Sequence, residues 1–198
     1  MAHPFQSERL IYRAIESPED DDFFVQLSGD AMTNMNSSIN MVTPRTKKEC
    51  TDHQTYIKEK CMLGVVICLP ANTAAANAKP TPIGELDMTR QFERHAQHRS
   101  AEIGIEILPE YQGKGYGTEA IQWALDWAFR RAGMHKVDIG AFEWNYGARK
   151  LYERIGFKPE GVIRELFWHD GRFWDDHKFG MIDREWEEIK KAREAGKQ

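Results

Sequence analysis

Between Ala101 and Thr118 the chain reads AEIGIEILPEYQGKGYGT, and this stretch narrows the fold more than any other. Ile103, Ile105 and Ile107 alternate with Glu102, Gly104 and Glu106, a period of two that predicts a strand with one apolar and one polar face. Glycine then stands at every second position, Gly113, Gly115 and Gly117, and behind it Ile121, Ala124, Leu125, Ala128, Phe129 and Ala132 recur at helical spacing until Gly133 stops the helix. Lys136–Phe142 reads as the next strand, so strand, helix and strand form a right-handed crossover between parallel strands. Small residues at the turn let backbone N–H groups approach an anion, and the helix start adds its unpaired donors and positive dipole end. Two phosphate-binding patterns are excluded. Lys114 lies between the glycines and Thr118 has no Lys before it, so the turn is not a P-loop; Thr118 also stands where a dinucleotide fingerprint needs its last glycine. What remains is QxxGxG, carried by Gln112, Gly115 and Gly117.

The 198 residues suit one domain over 1–198, with a core from about 7 to 183 and a charged C-terminal tail, 184–198, expected as a solvated helix or frayed end. The longest apolar run, Met62–Leu69, is too short to span a membrane, and MAHPFQSERL lacks the apolar stretch of a signal peptide, so a cytoplasmic protein without membrane contact is expected. Cys50, Cys61 and Cys68 are an odd number without metal-ligand spacing, which suits a reducing compartment. The net charge of -4 offers no basic footprint for nucleic acid and mildly favours a cationic small molecule.

Upstream, Glu8–Ile15 alternates as a first strand. Ser17 then offers a helix cap, Pro18 a first helical residue and Asp20 the acid of a capping box, which accounts for the acidic run 19–22 without a metal. Ser28–Pro44 reads as loop with a short helical piece, Thr46–Lys60 as a surface helix capped by Thr46, Leu63–Leu69 as a buried strand, Pro70–Pro82 as a long hairpin loop and Ile83–Thr89 as its second strand. His95 and His98, three apart in a polar connection, read as solvated histidines in the absence of a third ligand nearby. Downstream, Asn145 opens a short helix closed by Gly156, and Asp170-Gly171 turns a final hairpin rich in aromatics: Phe167, Trp168, Phe173 and Trp174. Hairpin aromatics usually pack across strands; facing a cleft, they would hold a cation with help from Asp175 and Asp176.

The QxxGxG turn behind its alternating strand resembles the pyrophosphate-binding signature of the GNAT superfamily of N-acetyltransferases. Asn145, Ala148, Tyr152, Gly156 and Phe157 form NxxAxxxYxxxGF, which resembles a second block of that superfamily at the expected distance downstream. The likeness is sharp over 101–181, and its wording is nearest to the branch containing spermidine and ribosomal-protein N-terminal acetyltransferases. It implies an α/β (α+β) fold, with a mixed, mostly antiparallel sheet splayed at its central strands and helices on both faces. The implied activity is direct transfer of acetyl from acetyl-CoA, as co-substrate and without a metal, to a small primary amine or a peptide N-terminus.

The resemblance also implies site residues. The N–H groups of Gly113, Lys114, Gly115, Tyr116, Gly117 and Thr118, with Gln112, would take the pyrophosphate; Ile105, Glu106 and Ile107 would line the pantetheine arm, with Asn145 opposite. Tyr152, as a phenol near its usual pKa, would protonate the departing thiolate. Ribosomal-protein acetyltransferases can carry a glutamate base where this chain has Gly140, so the base is expected in Glu102 or Glu106, with Glu85 on the neighbouring strand as an outside candidate and Glu102 preferred for its match to the spermidine acetyltransferase pattern. The alternatives are strand carboxylates that merely face solvent, a module that senses acyl-CoA without turnover, and a nucleotide-binding protein. Several Trp near the last hairpin leave room for a homodimer.

Overall fold

The computed structural model describes residues 3–71, 79–90 and 93–196. Seven strands form one sheet in the order β1-β2-β3-β4-β5-β7-β6: β1 Ile11–Arg13, β2 Cys61–Leu69, β3 Thr81–Arg90, β4 Ser100–Ile107, β5 Lys136–Phe142, β6 Lys158–His169 and β7 Arg172–Ile182. The helices are α1 Asp21–Gly29, α2 Ala31–Ser37, α3 Lys47–Lys60, α4 Tyr116–Arg130, α5 Tyr146–Ile155 and α6 Asp183–Ala195. The expected mixed, mostly antiparallel sheet is therefore present, with its one parallel pairing among the described ladders between β4 and β5, over Ser100–Glu102 and Lys136–Asp138. The loop expected over Pro70–Pro82 falls largely on residues 72–78, outside the described residues. No helix among the described residues is long and apolar enough to cross a membrane.

The chain divides into two compact units, the first of Met1–Thr89 with Gly104–Trp123 and the second of Arg90–Ile103 with Ala124–Gln198. In the first unit, α1 and α3 lie over one face of β2: Phe23, Phe24 and Leu27 from α1 and Ile57 from α3 close on Val66 and Cys68. Each of these large side chains contributes about 1.5–3 kcal/mol by leaving water. Tyr12 of β1 stacks flat on Trp123, ring centroids 3.7 Å apart. Helix α3 carries a full capping box, Thr46 with Glu49. Helix α1 begins later than its sequence suggests. Pro18 lies in the turn before it, across a cis Ser17–Pro18 bond, and Asp20 makes no side-chain cap. Its carboxylate is taken instead by the Arg13 guanidinium at 2.6 and 2.7 Å and by the Glu16 N–H at 2.9 Å.

In the second unit β5 pairs with β7 along its whole length, and β6 pairs with β7 through a hairpin whose turn residues, Asp170 and Gly171, have φ of 47° and 81°. Helix α6 is anchored where a solvated end was expected. Trp186 is only 2% exposed, and its indole N–H donates to Asp126 at 3.0 Å.

Candidate active site

The glycine turn lies in the first unit and ends as α4 begins. Gly113 and Gly115 have φ of 70° and 84°, backbone that suits glycine, whereas Gly117 lies inside the first helical turn. Glu119 N–H donates to the Gly115 carbonyl at 3.1 Å, so the N–H groups of Tyr116, Gly117 and Thr118 belong to the turn for which helix geometry provides no acceptor. Gln112 clamps the loop: its side-chain amide donates to the Ile107 carbonyl at 2.7 Å. Lys114 is exposed, its ammonium 5.4 Å from the centroid of the Tyr111 ring.

One residue of this turn was not foreseen. The Arg9 guanidinium donates to the Lys114 carbonyl at 3.1 Å, covers the Tyr116 ring at 4.8 Å and pairs with Glu119 at 2.8 Å. Ser7 and the Arg9 backbone N–H also donate to Glu119, at 2.6 and 2.7 Å. Burial alone would push the Glu119 carboxyl up, but the Ser7 hydroxyl and Arg9 hold it below the usual carboxylate range. An ionised Glu119 thus fixes a cation beside an anion-seeking turn. No local pattern signals this, because the partners lie more than a hundred residues apart.

The residues of the NxxAxxxYxxxGF block lie in the second unit. Asn145 caps α5, its Oδ1 accepting the Ala148 N–H at 3.1 Å. Tyr152 packs near the Phe157 and Phe179 rings, centroids 6.1 and 5.9 Å away, and burial pushes its phenol up to about 12, which corrects the expectation of an ordinary tyrosine pKa. Glu102 is exposed. A side chain added at Gly140 would meet the Lys178 ammonium at 3.3 Å, a Glu102 oxygen at 3.8 Å and an Asp176 oxygen at 3.9 Å. The position left empty by the absent glutamate is therefore faced by two other carboxylates and an amine.

Glu106 and Glu85 stand elsewhere. Val66 pairs with Glu85 across β2 and β3, which turns Glu85 to the face covered by α3. Glu85 is 1% exposed and does not line an open cleft. His53 of α3 has its Nε2 4.0 Å from a Glu85 oxygen, and Glu106 shares the group. Burial, with Asp87 and Glu106 nearby, raises the Glu85 carboxyl well above its usual range. Burial raises Glu106 against the pull of the Ser37 hydroxyl and Arg45, and burial with Arg45 lowers His53. The His53 contribution was not foreseen, since only the tertiary fold brings α3 to β3.

Ser28, Asn34, Val42 and Thr43 of the Ser28–Pro44 region, with Arg45 beyond it, help to line a pocket of about 390 Å³. Of the hairpin aromatics, Phe167 and Trp174 are already engaged, whereas Trp168 and Phe173 meet each other edge-on and stay exposed. Trp144 stacks on Phe142 and His169 and meets Phe167 and Trp174 edge-on. Trp174 carries the Arg172 guanidinium at 3.3 Å, Asp175 accepts the Glu165 N–H at 2.8 Å and Asp176 pairs with Lys178 at 2.8 Å. This hairpin binds its own cations. His98 is exposed, and the side chain of His95 lies outside the described residues.

The three cysteines are free thiols. Among known proteins, spermidine N(1)-acetyltransferase of Vibrio cholerae is 44% identical over 78 residues, 39% of this chain and 45% of that protein. The chain thus spans about half the length of the curated relatives it matches. The crystal structure of spermidine N-acetyltransferase from Vibrio cholerae in complex with CoA and spermine superposes with a TM-score of 0.73 at 26% identity, over 91% of this chain and 99% of that one. A GNAT-family acetyltransferase from Bacillus anthracis has the same fold, with a TM-score of 0.74 at 19% identity over 91% of this chain and 98% of that one. The GNAT acetyltransferase domain family matches residues 9–158, and the chain belongs to that family.

Proposed function

We propose that this protein is a cytoplasmic N-acetyltransferase that moves acetyl directly from acetyl-CoA to a primary amine, with polyamines the first acceptor class to test and peptide N-termini the second. The observation that carries this reading is the turn at the start of α4, with left-handed glycines, first-turn N–H donors and Arg9 held against it by an ionised Glu119. Those groups suit the pyrophosphate of coenzyme A. Ile105–Ile107 of β4 would run beside the pantetheine arm, and the Asn145 side chain would meet it while capping α5. The relatives that act on spermidine support the acceptor class.

The amine must lose a proton before its nitrogen attacks the thioester carbonyl. Glu102, near the empty position at Gly140, is the base or the acceptor of a water-relayed proton. Burial pushes the Tyr152 phenol up to about 12, so it is protonated at neutral pH and would give that proton to the thiolate sulfur as the C–S bond breaks. No covalent enzyme intermediate is required. The exposed Val162, Ile163, Leu166, Trp168 and Phe173 of the outer hairpin suit a homodimer contact.

Release of coenzyme A from acetyl-CoA across spermidine, free amino acids and short peptides tests the reading. Tyr152→Phe is expected to lower kcat about 10²–10⁴-fold on the responding amine while acetyl-CoA still binds. Binding without turnover on any amine would favour acyl-CoA sensing; no binding would remove the anion-seat argument.

A further inference from the structure

We propose that His53, Glu85 and Glu106 form a binding site for a first-row divalent transition metal, separate from the acetyl-transfer chemistry. The three residues come from α3, β3 and β4, all in the first unit. Their ligand atoms lie within 4.8 Å of one another. His53 Nε2, Glu85 Oε2 and Glu106 Oε2 are each buried without a hydrogen-bond partner. Unsatisfied atoms on three residues of one cluster are costly in any fold, because each has given up water without replacing it. Among the described residues, His53 is the ion-pair partner of Glu85, and Arg45 acts on Glu106 only from beyond ion-pair distance. A dication supplies the missing partner to all three and neutralises both carboxylates at once.

The donor set selects the ion. Imidazole with carboxylate suits zinc, cobalt, iron or manganese better than calcium or magnesium, which prefer all-oxygen shells. Three atoms no more than 4.8 Å apart leave a point within about 2.8 Å of each, so closure by under ~1 Å gives bonds of ~2.1 Å. Two of the three ligands sit on neighbouring strands and the third on a helix capped at its start, which holds the donors on rigid elements. This departs from the metal-free reading of the sequence, where the three residues lie too far apart for a spacing motif.

The test uses the untagged full chain, stripped with a chelator. Zinc is titrated by calorimetry and Co²⁺ uptake is followed by its visible absorption bands. One ion per chain is expected, with binding at least tenfold weaker in each of His53→Gln, Glu85→Gln and Glu106→Gln, and with a zinc-induced rise in Tm in wild type that His53→Gln lacks. Absence of stoichiometric uptake by the wild type, or uptake undiminished in folded His53→Gln, would overturn the proposal. His53 is partly exposed, so its variant decides the question even if a change at fully buried Glu85 prevents folding. Coenzyme A release is read in parallel, and its persistence in His53→Gln separates this site from the acetyl-transfer reading.

Discussion

Asp20 shows how one side chain can be diverted from the role its neighbours suggest. It stands before a helix, yet its carboxylate is only 5% exposed and is held by both Arg13 guanidinium nitrogens and the Glu16 N–H. Burial pushes its pKa up, but Arg13 and Glu16 outweigh that, and the carboxyl lies below its usual range. A depressed folded pKa means that the stabilisation is complete above the unfolded value of about 3.9 and is lost as pH falls through the folded value. Asp20→Asn is therefore expected to cost about 2 kcal/mol at pH 7 in urea unfolding, and the gap from wild type should narrow below about pH 4. A constant difference between pH 7 and pH 3 would mean that the contact acts through shape and not charge.

Elements were legible wherever local pattern and packing agree. β5 runs from Lys136 to Phe142 as its alternation predicts, and Thr46, Asn145 and Gly156 bound α3 and α5 as their chemistry suggests. The start of α1 was not, because the contact with Arg13 that occupies Asp20 is tertiary. The candidate site divides on the same principle: the glycine turn and Tyr152 sit in contiguous motifs, whereas Arg9 and His53 reach their partners only through the fold. Gly156 joins both kinds of information. Its φ of 119° demands glycine, and an added Cβ would also run into Ile189 of α6. Gly156→Ala is expected to destabilise by about 1–3 kcal/mol from backbone strain alone. Adding Ile189→Ala should recover only the part due to the collision, so full recovery in a double-mutant cycle would show the backbone to be unstrained.

At the scale of the whole molecule, the net charge of -4 works against a polyanionic ligand. Screening confines that effect to about 10 Å at 0.1 M salt, so the local field decides, and beside the glycine turn it comes from Lys114, the start of α4 and Arg9, whose charge the ionised Glu119 partly offsets. A ligand that binds only the folded state stabilises it by about 2.7 kcal/mol at a hundred times its Kd, which for a chain of this size raises Tm by about 5–10 °C. Acetyl-CoA is expected to give a rise of that order. Arg9→Ala removes a cation and loosens Glu119, so its own Tm will fall; the informative quantity is the increment on adding acetyl-CoA. A tenfold loss of affinity cuts that increment to about half. An undiminished increment in Arg9→Ala would leave the backbone donors and Lys114 as the phosphate seat and reduce Arg9 to a strut for the turn.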